Sequence, residues 1–126
     1  MYEAREDKDL AFMLQYENIA WYENGQVRIL DRRIYPAKTH FVVCNSHVEV
    51  MQAIRDMVTQ SAGPYTAAPM GMALAAWECR NMDRKSQIVY LEEASNCISN
   101  ARPTTRKRMA QLTRSCVEVA TKAIAE

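Results

Sequence analysis

No two cysteines in this chain stand close enough in sequence to clasp a metal. The four present, Cys44, Cys79, Cys97 and Cys116, are widely spaced, without a Cys-x-x-Cys or a neighbouring histidine pattern, which argues against a zinc site. Cys97 and Cys116 fall on apolar stripes of predicted helices, where a free thiol acts as a small hydrophobe. A reducing, cytoplasmic compartment is expected. Also missing is any apolar run near the roughly 20 residues a membrane helix needs, and the first residues lack the apolar stretch of a signal peptide. The expectation is a soluble chain with no membrane partner. Nor does one charge dominate: 16 Lys and Arg face 15 Asp and Glu, a net charge of +1. There is no global pull toward nucleic acid or anionic lipid, so an anion would have to be held by local geometry. Internal repeats and low-complexity linkers are absent as well.

What is present is an ordinary globular composition, with 48% hydrophobic and 25% charged residues among 126. That suffices for one domain with its own core. Residues 1–15 are charged and then apolar (Leu10, Phe12, Met13, Leu14), predicting a short helix. Ile19–Tyr22 and Val27–Leu30 flank Asn24-Gly25, the strongest short hairpin signal, because both turn residues tolerate positive φ. Pro36 ends that ribbon, and His40–Cys44 predicts a third strand.

From Ser46 the period changes. Ser46 and Glu49 form a capping box, and Val50, Ile54, Met57 and Val58 line one face of a helix expected to reach about Gln60. Residues 61–69, rich in Gly, Pro and Ala, are expected to break it. Met70–Met82 predicts a buried central helix, Arg84–Asn100 another, and Pro103 opens a last one carrying Met109, Leu112, Cys116, Val119 and Ala123. The fold class is therefore mainly α (α+β). An N-terminal segment and small antiparallel three-stranded sheet, residues 1–45, lead into a bundle of three or four helices, residues 46–126. Together these form one domain. The last helix shows no stop signal before Glu126, suggesting one part of a larger two-domain protein.

Ala101-Arg102-Pro103-Thr104 carries the chemistry. Proline in the first turn of a helix forfeits an N–H that has no helical partner there, and it holds Arg102 extended outside the helix. A guanidinium, the hydroxyls of Thr104 and Thr105, and free N–H groups are thus expected to converge on one helix start, a seat suited to phosphate.

Five segments occur in a telling order. They are Ile19-Ala20-Trp21 with Val27–Asp31, Tyr35-Pro36, Ala53–Val58, Gly71–Ala76, and Ala101–Thr104. Over residues 17–120 the chain resembles the N-terminal domain of methylthioribose-1-phosphate isomerase and its relatives, the ribose-1,5-bisphosphate isomerases and the regulatory subunits of initiation factor 2B. The resemblance implies a sheet-plus-bundle domain that closes over a C-terminal α/β domain, in the same or a partner chain. That second domain supplies a catalytic cysteine and aspartate for an aldose–ketose isomerisation. It also implies that no catalytic residue, metal or cofactor belongs to this part, and that the complete protein is a homodimer. The phosphorylated sugar would be held by the Arg-Pro-Thr arginine, here Arg102, with Thr104 beside it. An Arg-Gly-Ala loop would help, and its place is taken here by Gln60, Ser61 and Ala62. Glutamine lacks the charged fork of arginine, and serine narrows the backbone choices that glycine allows, so a sugar phosphate should bind more weakly or in another pose.

Three other readings compete. The loss of Arg-Gly at 60 and 61 fits a non-enzymatic regulatory or assembly module akin to the initiation factor 2B subunits. Arg102, Arg106, Lys107, Arg108 and Arg114 cluster on the last helix, as in nucleic-acid binders, although near-neutral charge and the lack of interleaved aromatics speak against nucleic acid as a partner. Cys44 could serve as a nucleophile only if the fold brought a histidine, His40 or His47, to it. Asp7, Asp9, Glu92 and Glu93 are read as solvated faces, and Trp21, Tyr22 and Trp77 as packing between sheet and bundle.

Overall fold

The computed structural model describes residues 16–125, so the helix expected within residues 1–15 lies outside the described residues. A single helical turn, α1 (Tyr16–Ile19), runs into β1 (Ala20–Glu23), β2 (Gln26–Leu30) and β3 (Phe41–Cys44). The strands form one antiparallel sheet in the order β1-β2-β3, with Tyr22 opposite Val27 and Val27 opposite Cys44. Both hairpin residues adopt positive φ, 51° at Asn24 and 79° at Gly25, as a two-residue turn matching the twist of its strands requires. Trp77 lies over this turn, so a Cβ at Gly25 would come within 2.6 Å of the indole Nε1. Arg80 stacks on the indole, 3.7 Å from the ring centroid. Trp77 is thus 41% exposed, while Tyr22 packs against the core.

After the sheet, α2 (His47–Arg55) starts on Ser46, whose Oγ accepts the Glu49 N–H. Glu49 reaches back one residue further than a standard capping box, accepting the Asn45 N–H at 2.7 Å. The helix stops at Arg55, short of Gln60. Met57 turns left-handed (φ 64°), and the N–H groups of Met57 and Val58 fold back onto the Ile54 and Ala53 carbonyls. That is a Schellman closure with methionine where glycine is usual. The apolar stripe through Met57 and Val58 continued the helical period past the point where the backbone left it.

The next helix also differs from expectation. α3 (Gly63–Glu78) begins seven residues before Met70 and includes Pro69. Gly63 and Pro64 open it, where a missing N–H is harmless. Pro69 forfeits one helical hydrogen bond, offset by the burial of Ala67, Ala68, Met72, Leu74 and Ala75. α3 touches β1, β2, α2, α4 and α5, and is the central element. The close approach depends on Gly71, where a Cβ would meet Ile98 and Val50 at 2.9 Å.

α4 (Arg84–Ser99) is capped by Asp83, whose carboxylate accepts the Ser86 N–H at 2.9 Å. A short 3-10 turn, Pro103–Thr105, leads into α5 (Arg106–Ala125). Between α4 and α5 the buried Ser95 hydroxyl donates to Thr113 Oγ1 at 2.7 Å, and Thr113 donates to the Met109 carbonyl. Strands and helices share one core: Val27 and Ile29 from the sheet with Val50, Ile54, Leu74, Leu91, Ile98 and Met109 from the bundle.

Candidate functional site

Three helix ends meet at one end of the bundle: the C-terminus of α2 and the starts of α3 and α5. The segment between α2 and α3, residues 56–62, holds two non-glycine residues in the left-handed region, Met57 and Ser61 (φ 60°). Each such residue costs about 1–2 kcal/mol. Burial of Val58 and Thr59 anchors it from within, and a side chain from outside the segment adds to that.

Arg102 does so. Its backbone is extended (φ −137°, ψ 133°), as a residue before proline should be. The side chain, however, turns inward rather than out over the start of α5. Nε donates to the Ile54 carbonyl and Nη2 to the Thr59 carbonyl, both at 2.7 Å. A guanidinium at the C-terminus of a helix satisfies orphan carbonyls and meets the negative end of the helix dipole. Among the described residues only Nη1 is left without a hydrogen bond. On the other side of the segment, the Arg32 N–H donates to Val58 O at 2.7 Å.

Arg102 therefore stands against the segment that carries Gln60, Ser61 and Ala62. Gln60 folds its amide back onto Met57 O at 3.1 Å. Ser61 and Ala62 are exposed, and their N–H groups have no partner among the described residues. Ser61 in the left-handed region followed by Ala62 near the helical region (φ −85°, ψ −6°) turns successive N–H groups to one side, as in anion-binding nests. The next N–H, of Gly63, is engaged by Gln60 O. Thr104 is exposed, and the Thr105 hydroxyl is buried with no partner among the described residues. Around this end Arg106 and Lys107 are exposed, and Arg108 lies 5.0 Å over the Tyr65 ring, joining the first turns of α3 and α5.

The expected site residues thus gather at an open edge rather than in a hollow. A groove of about 730 Å³ between α4 and α5, lined by Glu92, Asn96, Arg114 and Glu118, and an apolar one of about 400 Å³ between α3 and α5, contain none of them. Arg108 and Arg114 consequently face different neighbours, α3 and the α4–α5 groove.

The thiols are quiet. Burial and the nearby Glu49 carboxylate push Cys44 up to about 11. Burial likewise raises Cys79, Cys97 and Cys116, so all four are protonated at neutral pH and poor nucleophiles. His47 pairs with a carboxylate instead of a thiol: Nδ1 lies 2.6 Å from Glu78 Oε1, and the His47 N–H donates to the same oxygen. Sequence spacing gave no sign of that partner, 31 residues away. Glu92 and Glu93 are exposed, as expected. Among the described residues no group of three or more His, Cys, Asp or Glu could hold a metal ion, and no helix is long and apolar enough to cross a membrane.

No family model matches the chain. Individual proteins do. The methylthioribose-1-phosphate isomerase of Roseiflexus castenholzii is 39% identical over 89 residues, a match covering 67% of this chain and 25% of the relative. That of Caldanaerobacter subterraneus subsp. tengcongensis is 31% identical over 84 residues, covering 66% and 24%. In structure, 5-methylthioribose 1-phosphate isomerase from Pyrococcus horikoshii OT3 superposes with a TM-score of 0.66 at 22% identity, covering 83% of this chain and 35% of that one. The delta subunit of translation initiation factor 2B from A. fulgidus does so with a TM-score of 0.63 at 20% identity, covering 80% and 35%. The chain spans about a quarter of the length of the curated relatives it matches. Over that stretch it belongs with the methylthioribose-1-phosphate isomerase family, whose fold the initiation factor 2B subunit shares.

Proposed function

We propose that this chain is the substrate-closing part of an aldose–ketose isomerase of the methylthioribose-1-phosphate isomerase type. In this reading it helps hold a phosphorylated sugar and is not catalytic alone. The phosphate is met at the edge formed by Gln60, Ser61 and Ala62, with Arg102 and Thr104 alongside. The observation that carries the proposal is the 2.7 Å bond from Arg102 to Thr59 O, which ties the Arg-Pro-Thr motif to the segment carrying Gln60, Ser61 and Ala62, 43 residues away in sequence, at one end of the bundle. Two helix N-termini and several cations converge there, an environment that favours an anion. Aldose–ketose isomerisation moves a proton between neighbouring carbons and needs a positioned acid and base. Thiols raised by burial do not provide them, so in this proposal the acid and base come from a further α/β domain, in the same chain or a partner. An open edge is what such a domain would cover.

One observation favours a second reading. Gln60 is neutral and turns its amide onto Met57 O, so the position where the resemblance expects arginine offers neither charge nor an outward donor. That suits a regulatory or assembly module related to the initiation factor 2B subunits. An isomerase assay of the complete protein on methylthioribose 1-phosphate and other pentose 1-phosphates separates the two. Turnover that falls in Arg102→Ala supports the isomerase reading; no turnover, with binding retained, supports the module.

A further inference from the structure

We infer that the groove between α4 and α5 is a binding site in its own right, suited to a small zwitterion: an α-amino acid with an aliphatic side chain. It shares no residue with the sugar-phosphate edge and stands or falls apart from it. The groove holds about 730 Å³, within the range of small-molecule sites. The short connection at residues 100–105 makes the two helices antiparallel neighbours, and the buried bond from Ser95 to Thr113 sets their register. From that register the groove side chains fall into three levels, one helical turn or about 5.4 Å apart. Asn96 of α4 stands level with Arg114 of α5, Glu92 with Val117 and Glu118, and Ile88 with Lys122.

The charges along these levels are unpaired. Arg114, Glu118 and Lys122 follow one another at the four-residue spacing at which helical side chains readily meet, and Glu92 lines the opposite wall. Yet none of the four joins an ion pair among the described residues. Among those residues Asn96 bonds only through its carbonyl, accepting from Ser99 and Asn100, which leaves its side-chain amide open. Two carboxylates level with each other across a groove repel, and an ammonium between them removes that repulsion. One turn away, the Arg114 fork can take a carboxylate through two parallel bonds, and Asn96 can supply a further N–H. The half-buried Ile88 and Val117 offer an apolar strip for a hydrocarbon chain. An amino group and a carboxylate on one carbon, with an aliphatic chain, meets all three demands. A plain anion would face Glu92 and Glu118, and a plain amine would leave Arg114 unmatched.

The test is a ¹H–¹⁵N NMR titration of the 126-residue chain with L-leucine, following the backbone amides and the Arg114 Nε–H. Isopentylamine, which lacks the carboxylate, and 4-methylpentanoate, which lacks the amino group, are titrated in parallel. Arg114→Gln and the double variant Glu92→Gln, Glu118→Gln receive the same three compounds. All three positions are exposed, so the variants keep the fold, which matching spectra without ligand verify. The expected result is that leucine shifts the Asn96, Arg114 and Val117 amides and the Arg114 Nε–H, while each half-ligand binds at least about tenfold more weakly. Arg114→Gln weakens leucine about tenfold without weakening isopentylamine, and the double variant weakens leucine as much without weakening 4-methylpentanoate. Either half-ligand binding as tightly as leucine overturns the zwitterion assignment, as does full leucine affinity in either variant. Leucine shifts confined to residues outside the groove, or no shift at all, remove the site and leave the sugar-phosphate reading untouched.

Discussion

The turn joining β1 to β2 and the segment joining α2 to α3 make the same demand on the backbone: two residues each at positive φ. They meet it in opposite ways. The hairpin uses Asn24 and Gly25, residues for which the left-handed region carries little or no penalty. The helix connection uses Met57 and Ser61, for which it does, and draws support from an arginine more than 40 residues downstream. A turn satisfied by its own composition folds without help. A turn satisfied from a distance folds only when the rest of the chain has arrived, and its shape can depend on what that distant residue does.

The sharpest way to break this contrast is Arg102→Gln. Removing two charge-assisted bonds from partly buried carbonyls should cost about 2–4 kcal/mol, read as a lower urea midpoint at unchanged slope. A loss no larger than that of Asn24→Ala would mean that the connection supports itself after all. Next in size is Gly25→Ala, which adds a Cβ at φ 79° against the Trp77 indole. About 2 kcal/mol should be lost, with a change in tryptophan emission as the ring is displaced.

A third connection, between β2 and β3, lies between these cases, because its tie is local but charged. Arg33 donates to both carboxylate oxygens of the buried Asp31 at 2.9 Å, and chiefly through that bond holds the Asp31 carboxyl below its ordinary value. Its stabilisation is therefore complete above the ordinary carboxylate range and is lost as pH falls through the lower folded value. Asp31→Asn should remove about 1 kcal/mol at neutral pH, and the deficit should shrink in acid when stability is measured from pH 7 to 2. The smallest effects have the opposite sign. Met57→Gly and Ser61→Gly each relieve a left-handed side chain and should raise stability by about 0.5–1 kcal/mol, seen as a Tm higher by a few degrees. A loss at either position would show that its side chain contributes more than its backbone costs.

This difference between the turns also decides what could be read in advance. Asn24-Gly25, Ser46 with Glu49, and the apolar spacing along α4 and α5 are local signals, and each element formed where its signal lay. Misplaced boundaries arose where local signals compete with packing. Met57 and Val58 kept a helical period beyond the end of α2, and Gly63, Pro64 and Pro69 read as breakers although burial carries α3 through them. At the candidate site, the family resemblance singled out Arg102 and residues 60–62, and the structure sets that arginine against the segment carrying the other three. The partners of the guanidinium were not, because backbone carbonyls 43 and 48 residues away leave no mark in sequence. For the same reason the pairing of His47 with Glu78 could not be anticipated.

The hydroxyl pair between Ser95 and Thr113 has a mechanical consequence. Were α5 to slide along α4 by one helical turn, an apolar residue, Met109 or Val117, would come opposite Ser95 and leave a buried hydroxyl without its partner. The helix pair therefore has a single resting height, like a shaft held by a pin. Arg106 begins α5 only seven residues before that pin, about 10 Å along the axis. The lift of the bundle's cationic rim above its base is thus set by two small alcohols buried between the helices.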